Sequence, residues 1–288
     1  MTEVKKAGVV GAGMMGSEIA LCFAMAGIQV FLKDLTVDHA KAGIDKASKA
    51  LDRLIKKGKF EDKNKEEALA RFHPIGDFAQ FSDVDFAIEA VFEDISIKRE
   101  TFVGFDKFCK PGCIVATNTS SLSVTALGTA LGEDRRKFFL GTHFFSPVSL
   151  MKLVEVVPGI ETSEESVEKT LELCRKIGKS PIRVKDVAGF AVNRLLHAMW
   201  IEAERCVEEG VATPEDIDTG CKLGLGHPVG PFELMDLVTN DLTLSVQEIL
   251  YKAYGQRFMP RSVLRQKVDA GHSGRKTGKG WYVYGSKK

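Results

Sequence analysis

Three glycines near the amino end constrain the fold of this chain more than any other feature. Gly11, Gly13 and Gly16 lie between the strand-like residues 6–10 and the helix-like residues 17–26. In this spacing the first glycine permits a tight turn, the second lets a pyrophosphate approach the backbone, and the third lets the helix pack closely on the strand. The N-terminus of the following helix offers N–H groups and a partial positive charge to a phosphate. The motif therefore predicts a strand, a phosphate-binding turn and a helix.

A second apolar segment and a carboxylate extend this motif. Gly27 is placed to end the helix, and the strand-like residues 29–32 lead to Asp34, 18 residues after the last glycine of the motif. A carboxylate at that point can accept hydrogen bonds from an adenosine ribose. We therefore predict a nicotinamide or flavin dinucleotide as cofactor. Met14 and Met15 lie inside the glycine loop, where we expect them to pack, and we count them among the cofactor-binding residues.

The distribution of apolar segments predicts an α/β first domain. The two strands that flank the glycine motif indicate a parallel sheet covered on both faces. Further strand-like segments follow at residues 86–91, 113–116, 138–144, 152–157 and 182–184. We therefore predict a doubly wound, mostly parallel sheet of the Rossmann type.

The segment between the second and third of these predicted strands is unusually long. It has some 50 residues with helical periodicity, ending in a second predicted helix at residues 62–72. One crossover helix cannot use so much chain, so we predict an inserted helical hairpin.

Strand patterns nearly vanish from Gly189 onward. Residues 190–270 are typical of about four helices, including one that begins at a cap on Thr213 and one that runs from residue 231 to 254. The sequence therefore predicts a dinucleotide-binding domain at residues 1–187 and an all-α domain at residues 188–288.

Charge and composition argue against several partners. Forty Lys and Arg stand against 39 Asp and Glu, and a net charge of +1 gives no overall field for holding nucleic acid or an anionic membrane. The apolar residues 19–32 are too few for a spanning helix, which needs roughly 18. We expect no signal or transit segment before them. Six cysteines without a C-x-x-C pair or metal-ligand spacing are expected to be reduced. These features predict a cytoplasmic protein that binds no nucleic acid, membrane or metal.

His143 and Glu155 form the first candidate catalytic pair. They lie in neighbouring strand-like segments, and a hairpin centred near Ser149 would place them opposite one another. A carboxylate bonded to one imidazole nitrogen fixes the tautomer and stabilises the imidazolium, so the other nitrogen can exchange a proton near neutral pH. The spacing alone also fits a structural histidine beside a strand glutamate.

Other polar residues are candidates with simpler alternatives. Residues 118–121, including Ser120, follow a strand at the edge where ligands of open α/β sheets bind, but one of their side chains is also expected to cap the next helix. Asn193 stands at the start of a predicted helix, where packing or capping is common. A basic stripe can bind phosphates or be a solvated helix face. Its members are Lys46, Lys49, Arg53, Lys56 and Lys57.

Taken together, the motifs of this chain resemble the L-3-hydroxyacyl-CoA dehydrogenase family. They occur in family order between residues 8 and 284 and cover nearly the whole chain. The motifs are GAGMMG at 11–16, EAVFE at 89–93, NTSSL at 118–122, HFFSP at 143–147, KLVE at 152–155, GFAVNR at 189–194, GHPVGPF at 226–232 and KTGKG at 276–280. One departure is Ser146, where many members carry asparagine.

The resemblance implies roles for individual residues. It implies NAD as cofactor, His143 as the catalytic base and Glu155 as its partner. Ser120 and Asn193 correspond to substrate-contacting positions and complete the predicted catalytic set. The positions that match cofactor contacts are Asp34, Glu93, Lys98, Ser120, His143 and Lys276. Lys56 and Lys57 align, more loosely, with positions that contact CoA.

We therefore predict an NAD-dependent enzyme that interconverts an L-3-hydroxyacyl-CoA and the 3-oxoacyl-CoA. The size of the chain suits short acyl groups such as 3-hydroxybutyryl-CoA, by analogy with the family. Apolar positions in the small second domain, including Leu195, Leu196 and Met199, predict a homodimer. Two rivals stay open: an NAD-dependent dehydrogenase of a free hydroxy acid or sugar acid, and a non-catalytic NAD-binding protein on the same scaffold.

Overall fold

The computed structural model describes residues 3–285 of the chain, which fall into two compact units divided between Val187 and Ala188. The predicted domains extend over residues 1–2 and 286–288, which lie outside the described residues. Within residues 3–285, no helix combines the length and the apolar character that crossing a membrane requires.

The first unit is built on a sheet that has eight strands in the described part of the chain, in the order β3-β2-β1-β4-β5-β6-β7-β8. Neighbouring strands are parallel except β6 and β7, which confirms the predicted doubly wound, mostly parallel sheet. The strands are β1 Lys6–Val10, β2 Gln29–Lys33, β3 Phe72–Ile75, β4 Phe86–Glu89, β5 Ile114–Thr117, β6 Phe139–Phe144, β7 Leu153–Pro158 and β8 Ser180–Arg183.

Helices cover both faces of this sheet, so its central strands are buried on both sides. Every residue of β4, β5 and β6 is buried. Side chains cap several of the helices, among them Thr36 before α2, Asp94 before α4 and Ser163 before α7. The helices of the first unit are α1 Met14–Met25, α2 Val37–Lys56, α3 Lys65–Ala70, α4 Ile95–Phe108, α5 Val124–Gly128, α6 Glu133–Arg136 and α7 Glu164–Lys176.

The inserted helical hairpin is present, but its second arm differs from the prediction. Residues 62–72 do not form one helix: a short 3₁₀ turn precedes α3, and Phe72 already begins β3. We missed this strand because it has only four residues and contains Pro74. It lies at the edge of the sheet, where proline costs no ladder hydrogen bond, and it pairs with β2.

The second unit is helical, as predicted, and has five α-helices within residues 188–285. They are α8 Val192–Glu208, α9 Pro214–Gly224, α10 Pro231–Val238, α11 Asn240–Tyr254 and α12 Ser262–Asp269. The predicted continuous helix from residue 231 to 254 is wrong. Thr239 has a φ of 101°, which breaks it into α10 and α11, and its hydroxyl accepts a hydrogen bond from Leu242 N.

Candidate active site

The glycine turn after β1 has the shape that a bound pyrophosphate needs. Gly11 has a φ of 100°, and a Cβ there would lie 2.5 Å from the carbonyl oxygen of Ala90. A Cβ on Gly16 would lie 1.8 Å from the carbonyl oxygen of Gly11, whereas one on Gly13 would meet nothing within 4 Å. Gly13 is also the N-cap of α1, and a glycine cannot cap the first turn with a side chain. Two glycines therefore allow close packing, and the middle one leaves space beside the helix N-terminus for a phosphate.

Asp34 fixes the end of β2 against this turn. Its Oδ2 accepts a hydrogen bond from Ala12 N at 2.7 Å, and its Oδ1 accepts one from Leu35 N at 2.7 Å. The neighbouring Lys33 ammonium donates to the Asp34 carbonyl oxygen at 3.2 Å and lies 4.6 Å from the centre of the Phe78 ring. Burial lowers the pKa of Lys33, although nearby carboxylates oppose the shift. The Lys33 ammonium is thus engaged away from the Asp34 carboxylate, which is predicted to accept a hydrogen bond from a ribose hydroxyl.

Exposed apolar side chains surround the turn, and we identified only part of this set from the sequence. Met15 packs against the core, as expected, but Met14 is 65% exposed, so the expectation that it packs is wrong. Leu35 and Phe92, each just after a strand, are more than four-fifths exposed. An apolar residue two or three positions after the carboxyl end of a parallel strand was the available signal. Such side chains can cover the flat rings of a dinucleotide.

A buried lysine between two carboxylates follows β4. Lys98 Nζ lies 2.7 Å from Glu89 Oε1 and 3.1 Å from Glu93 Oε2, and only 1% of the lysine side chain is exposed. Burial raises the pKa of Glu89 despite its contacts with Lys98 and Thr117. Burial also acts to raise the pKa of Glu93, but Lys98 and the donors of the next loop together bring it below its usual value.

Glu93 organises the loop that carries Ser120. Its Oε1 accepts hydrogen bonds from Thr119 Oγ1 at 2.5 Å, Ser120 N at 2.8 Å and Ser121 N at 3.1 Å. None of residues 118–121 caps α5, because its N-cap is Ser123, which corrects our prediction. The Lys98–Glu93 pair thus holds the loop after β5, and both residues are predicted to serve the cofactor.

Asn118 joins this loop to the next strand. Its side-chain Oδ1 accepts a hydrogen bond from Phe144 N at 2.9 Å, and its backbone N–H donates to the Glu89 carbonyl oxygen. Phe144 is the last residue of β6 and follows His143. The polar loop after β5 is therefore bonded directly to the strand end that carries the histidine.

His143 and Glu155 face each other across the antiparallel pair β6–β7. The register places them opposite one another, which confirms the predicted hairpin. His143 Nδ1 lies 2.8 Å from Glu155 Oε2, and the two residues are 6% and 0% exposed. A carboxylate can only accept, so Nδ1–H is the donor, which fixes the tautomer of the neutral ring. The pair can therefore exchange a proton at Nε2 while Glu155 stabilises the imidazolium.

Most of the predicted residues of the first unit gather at one edge of the sheet, where β1, β2, β4, β5 and β6 end. This edge holds the glycine turn, Asp34, Glu93, Ser120 and His143. Lys56 and Lys57 lie at the C-terminal end of α2 instead. Asn193 is the second residue of α8, and Lys276 lies in a turn next to Gly278, both within the second unit.

The basic stripe of α2 is exposed, but its members differ in their contacts. Lys46 Nζ donates to the carbonyl oxygen of Ala12 in the glycine turn at 3.0 Å, and Arg53 forms an ion pair with Glu18 of α1 at 3.4 Å. Lys56 stands ten residues after Lys46, about 15 Å further along the helix. The first part of the stripe thus lies at the glycine turn, and its end projects well beyond it.

Comparison with known proteins identifies the family of this chain. The family model of the 3-hydroxyacyl-CoA dehydrogenase NAD-binding domain matches residues 6–187, and that of the C-terminal domain matches residues 189–284. A probable 3-hydroxybutyryl-CoA dehydrogenase of Deinococcus radiodurans is 42% identical and aligns over 97% of this chain and 100% of its own. A 3-hydroxybutyryl-CoA dehydrogenase of Clostridioides difficile is 40% identical and aligns over 97% of this chain and 99% of its own. The crystal structure of (S)-3-hydroxybutyryl-CoA dehydrogenase from Ralstonia eutropha has a TM-score of 0.94 and 38% identity, over 99% of this chain and 100% of that one.

Proposed function

Because this chain belongs to the 3-hydroxyacyl-CoA dehydrogenase family and is an NAD-dependent dehydrogenase of 3-hydroxyacyl-CoA, we propose that His143 and Glu155 carry its proton transfer. The observation that carries this proposal is the bond of 2.8 Å between His143 Nδ1 and Glu155 Oε2. The pair lies at the same sheet edge as the glycine turn. We further propose a short acyl group, as in 3-hydroxybutyryl-CoA, since relatives of about 40% identity carry that name.

In the oxidation of the hydroxyl, His143 removes the 3-hydroxyl proton at Nε2 and becomes an imidazolium. Bound NAD supplies the acceptor for the hydride that leaves carbon 3. Glu155 holds the opposite ring nitrogen and stabilises the positive charge as it develops. In the reverse direction the protonated His143 donates to the carbonyl oxygen. The turn from Gly11 to Gly16 and Asp34 would hold the phosphates and the adenosine ribose of the cofactor.

The remaining site residues are assigned by their correspondence to family positions. We propose that Ser120 and Asn193 contact the substrate, and that Glu93 and Lys276 contact the cofactor. Lys98 is buried between two carboxylates, which supports a role through Glu93 and the loop that Glu93 holds.

The assembly and setting of the enzyme are part of the proposal. We propose a homodimer that forms through the second unit, where Leu195 is 72% exposed. The six cysteines are free thiols, and four of them are buried, which supports a reducing compartment such as the cytoplasm. The reaction would then serve fatty-acid or butanoate metabolism.

The deciding experiment follows NADH absorbance with three kinds of substrate: acetoacetyl-CoA, free acetoacetate and sugar acids. We expect efficient oxidation of NADH with acetoacetyl-CoA, and neither comparable oxidation of NADH with free acetoacetate nor reduction of NAD⁺ with sugar acids. Equal efficiency with free acetoacetate would favour the free-acid dehydrogenase. NADH binding without turnover of any substrate would favour a non-catalytic NAD-binding protein.

A further inference from the structure

The segment that joins β6 to β7, residues 145–152, turns three backbone polar groups toward the inside of the first unit. The N–H of Ser149 and the carbonyl oxygens of Val148 and Met151 all bond to charged side chains from distant parts of the chain. Val148 itself is 1% exposed. Backbone groups that are buried or partly buried in this way destabilise the fold unless they are paired, so the side chains that pair them help to fix the segment.

Glu18 pairs the inward N–H. It lies on α1, is 5% exposed, and accepts a hydrogen bond from Ser149 N through Oε2 at 2.8 Å. Its Oε1 lies 3.4 Å from the guanidinium of Arg53 on α2, which offsets its charge. The helix whose N-terminus forms the phosphate-binding turn therefore also holds the segment that follows the catalytic histidine.

Lys179 pairs the inward carbonyls. It precedes β8, is 8% exposed, and donates from Nζ to the carbonyl oxygen of Met151 at 2.9 Å and to that of Val148. Its ammonium also lies beside the thiol of Cys22 on α1, a group whose pKa is raised by burial and lowered in part by Lys179. The segment is thus fixed by two charges of opposite sign, each of which contacts α1 or lies on it.

We propose that Glu18 and Lys179 are positioning residues of the reaction, because they fix residues 145–152 and thereby the placement of His143 relative to bound cofactor. His143 lies two residues before this segment, and its ring packs against that of Phe145 with 4.5 Å between ring centres. A displacement of about 1 Å in a reacting group can cost up to 10²-fold in rate. This inference rests on the proposed function of His143 and adds the residues that act through it.

The principal test is Glu18→Ala, with Glu18→Gln as the conservative variant. The alanine leaves the Ser149 N–H without its acceptor, and we expect kcat with acetoacetyl-CoA to fall by at least about tenfold. The Kd of NADH, measured by fluorescence, should change by less than about threefold, because the glycine turn is intact. Glutamine keeps an oxygen in reach of Ser149 N and should restore most of kcat. Lys179→Met should reproduce the loss if Glu18→Ala does not fold.

A matched control separates positioning from general destabilisation. Asp85 accepts hydrogen bonds from the backbone N–H groups of Lys5 and Lys6 at 2.8 and 3.0 Å, but at the amino end of β4, at the opposite edge of the sheet. Asp85→Ala should lower the Tm comparably and leave kcat unchanged. If Asp85→Ala and Glu18→Ala lower kcat equally, the proposal is wrong.

A double variant tests whether Glu18 acts through His143. In a His143→Gln background, Glu18→Ala should cost less than about threefold in residual kcat, since the positioned group is already absent. Losses that multiply would overturn the proposal. Amide hydrogen exchange of residues 143–152 gives a readout independent of activity: it should accelerate in Glu18→Ala and not in Asp85→Ala. Faster exchange in Glu18→Ala alone would show that Glu18 fixes the segment, even if the enzyme used another base. Equal exchange in the two variants would refute that role of Glu18.

Discussion

At the scale of single residues, the proposed mechanism depends on proton exchange at His143 Nε2 while Glu155 holds Nδ1. We expect His143→Gln to lower kcat by at least about 10²-fold, because general acid–base catalysis typically contributes ~10² to 10⁴. Glu155→Gln should also lower kcat, since an amide stabilises an imidazolium less well than a carboxylate does. The Kd of NADH should stay near that of the wild type, because the glycine turn and Asp34 follow other strands. Steady-state kinetics and NADH fluorescence measure the two effects separately.

His73 provides the matched control for this substitution. It lies exposed on β3, where its Nε2 bonds to the side chain of Gln29 at 2.7 Å, away from the glycine turn. His73→Gln should therefore keep kcat unchanged. Near-native turnover in His143→Gln would remove His143 from the mechanism.

At the scale of helices, α8 and α11 share a buried carboxyl–amide contact. Gln247 Nε2 donates to Glu204 Oε1 at 3.1 Å, and both side chains are fully buried. Within the described residues, Glu204 Oε2 and Gln247 Oε1 have no hydrogen-bond partner. Two acceptors cannot bond to each other, but a protonated Glu204 could donate to Gln247 Oε1 and pair both atoms. Burial raises the pKa of Glu204 to about 8, helped by Glu208 and opposed by Gln247 and Arg261.

This shift predicts how the stability of the second unit depends on pH. In the unfolded chain Glu204 has its ordinary pKa of 4.5. Its contribution to the free energy of unfolding is therefore full below pH 4.5 and is lost as the pH rises toward 8. Burial lowers the pKa of His197 from 6.5 to about 4, so its contribution is full above pH 6.5 and is lost as pH falls toward 4. Between pH 4.5 and 6.5 the two effects oppose each other, because the free energy of unfolding falls with pH through Glu204 and rises with pH through His197. Above pH 6.5 the carboxyl dominates, and the free energy of unfolding should fall by up to about 2 kcal/mol by pH 8.

Urea unfolding, followed by tryptophan fluorescence, measures this dependence, because both tryptophans, Trp200 and Trp281, lie in the second unit. Glu204→Gln keeps the hydrogen-bonding groups without the titration, so the decline between pH 6.5 and 8 should disappear. Glu202→Gln, an exposed change on the same helix, should leave the decline as in the wild type. A Glu204→Gln variant with the wild-type slope would contradict the assignment.

The basic stripe on α2 carries a prediction at the same scale. A thioester substrate has phosphates far from its reacting carbon, and the exposed Lys56 and Lys57 lie on an insertion that plain dinucleotide folds do not need. Lys56→Ala combined with Lys57→Ala should raise the KM for acetoacetyl-CoA and leave kcat unchanged, because binding lost equally in ground and transition states affects KM alone. Added salt should act similarly, since the Debye length is about 8 Å at physiological ionic strength.

Two lysines of α7 give a control with the same change of charge. Lys169 and Lys176 pair with Glu165 and Glu3, and their double alanine variant should keep the KM of the wild type. If the α2 variant also keeps that KM at low salt, the stripe is a solvated face whose last lysines stabilise the C-terminal end of the helix.

At the scale of the whole molecule, we expect a homodimer. Of the three apolar residues that predicted a dimer, Leu196 and Met199 pack against the core of the second unit. Leu195 is exposed and is the one that can contact a second copy. Light scattering at micromolar concentration should give twice the chain mass of 31.6 kDa, and Leu195→Glu should shift the enzyme toward the monomer. Ile160→Glu, at an exposed apolar site of the first unit, should not. A wild type that sediments and scatters only as the single chain would exclude a stable dimer.

Much of the fold and part of the candidate site follow from local sequence. The glycine turn depends on three glycines and the adjoining strand and helix, and Asp34 follows directly from the next strand. The hairpin that sets His143 opposite Glu155 depends on two strand-like segments and the connection of eight residues between them. In each case the pattern is local or repeats along one element, so the spacing of residues carries the information.

The tertiary structure alone decided the contacts between distant segments. Glu18 bonds to Ser149 across 131 positions of sequence, and Glu93 bonds to Ser120 across 27. No periodic pattern in the sequence predicts either contact, because each depends on how helices and strands pack after they form. The four-residue β3 was missed for the same reason: its pairing with β2, rather than its own composition, makes it a strand. Local chemistry thus determined which groups could react, and packing determined what holds them in place.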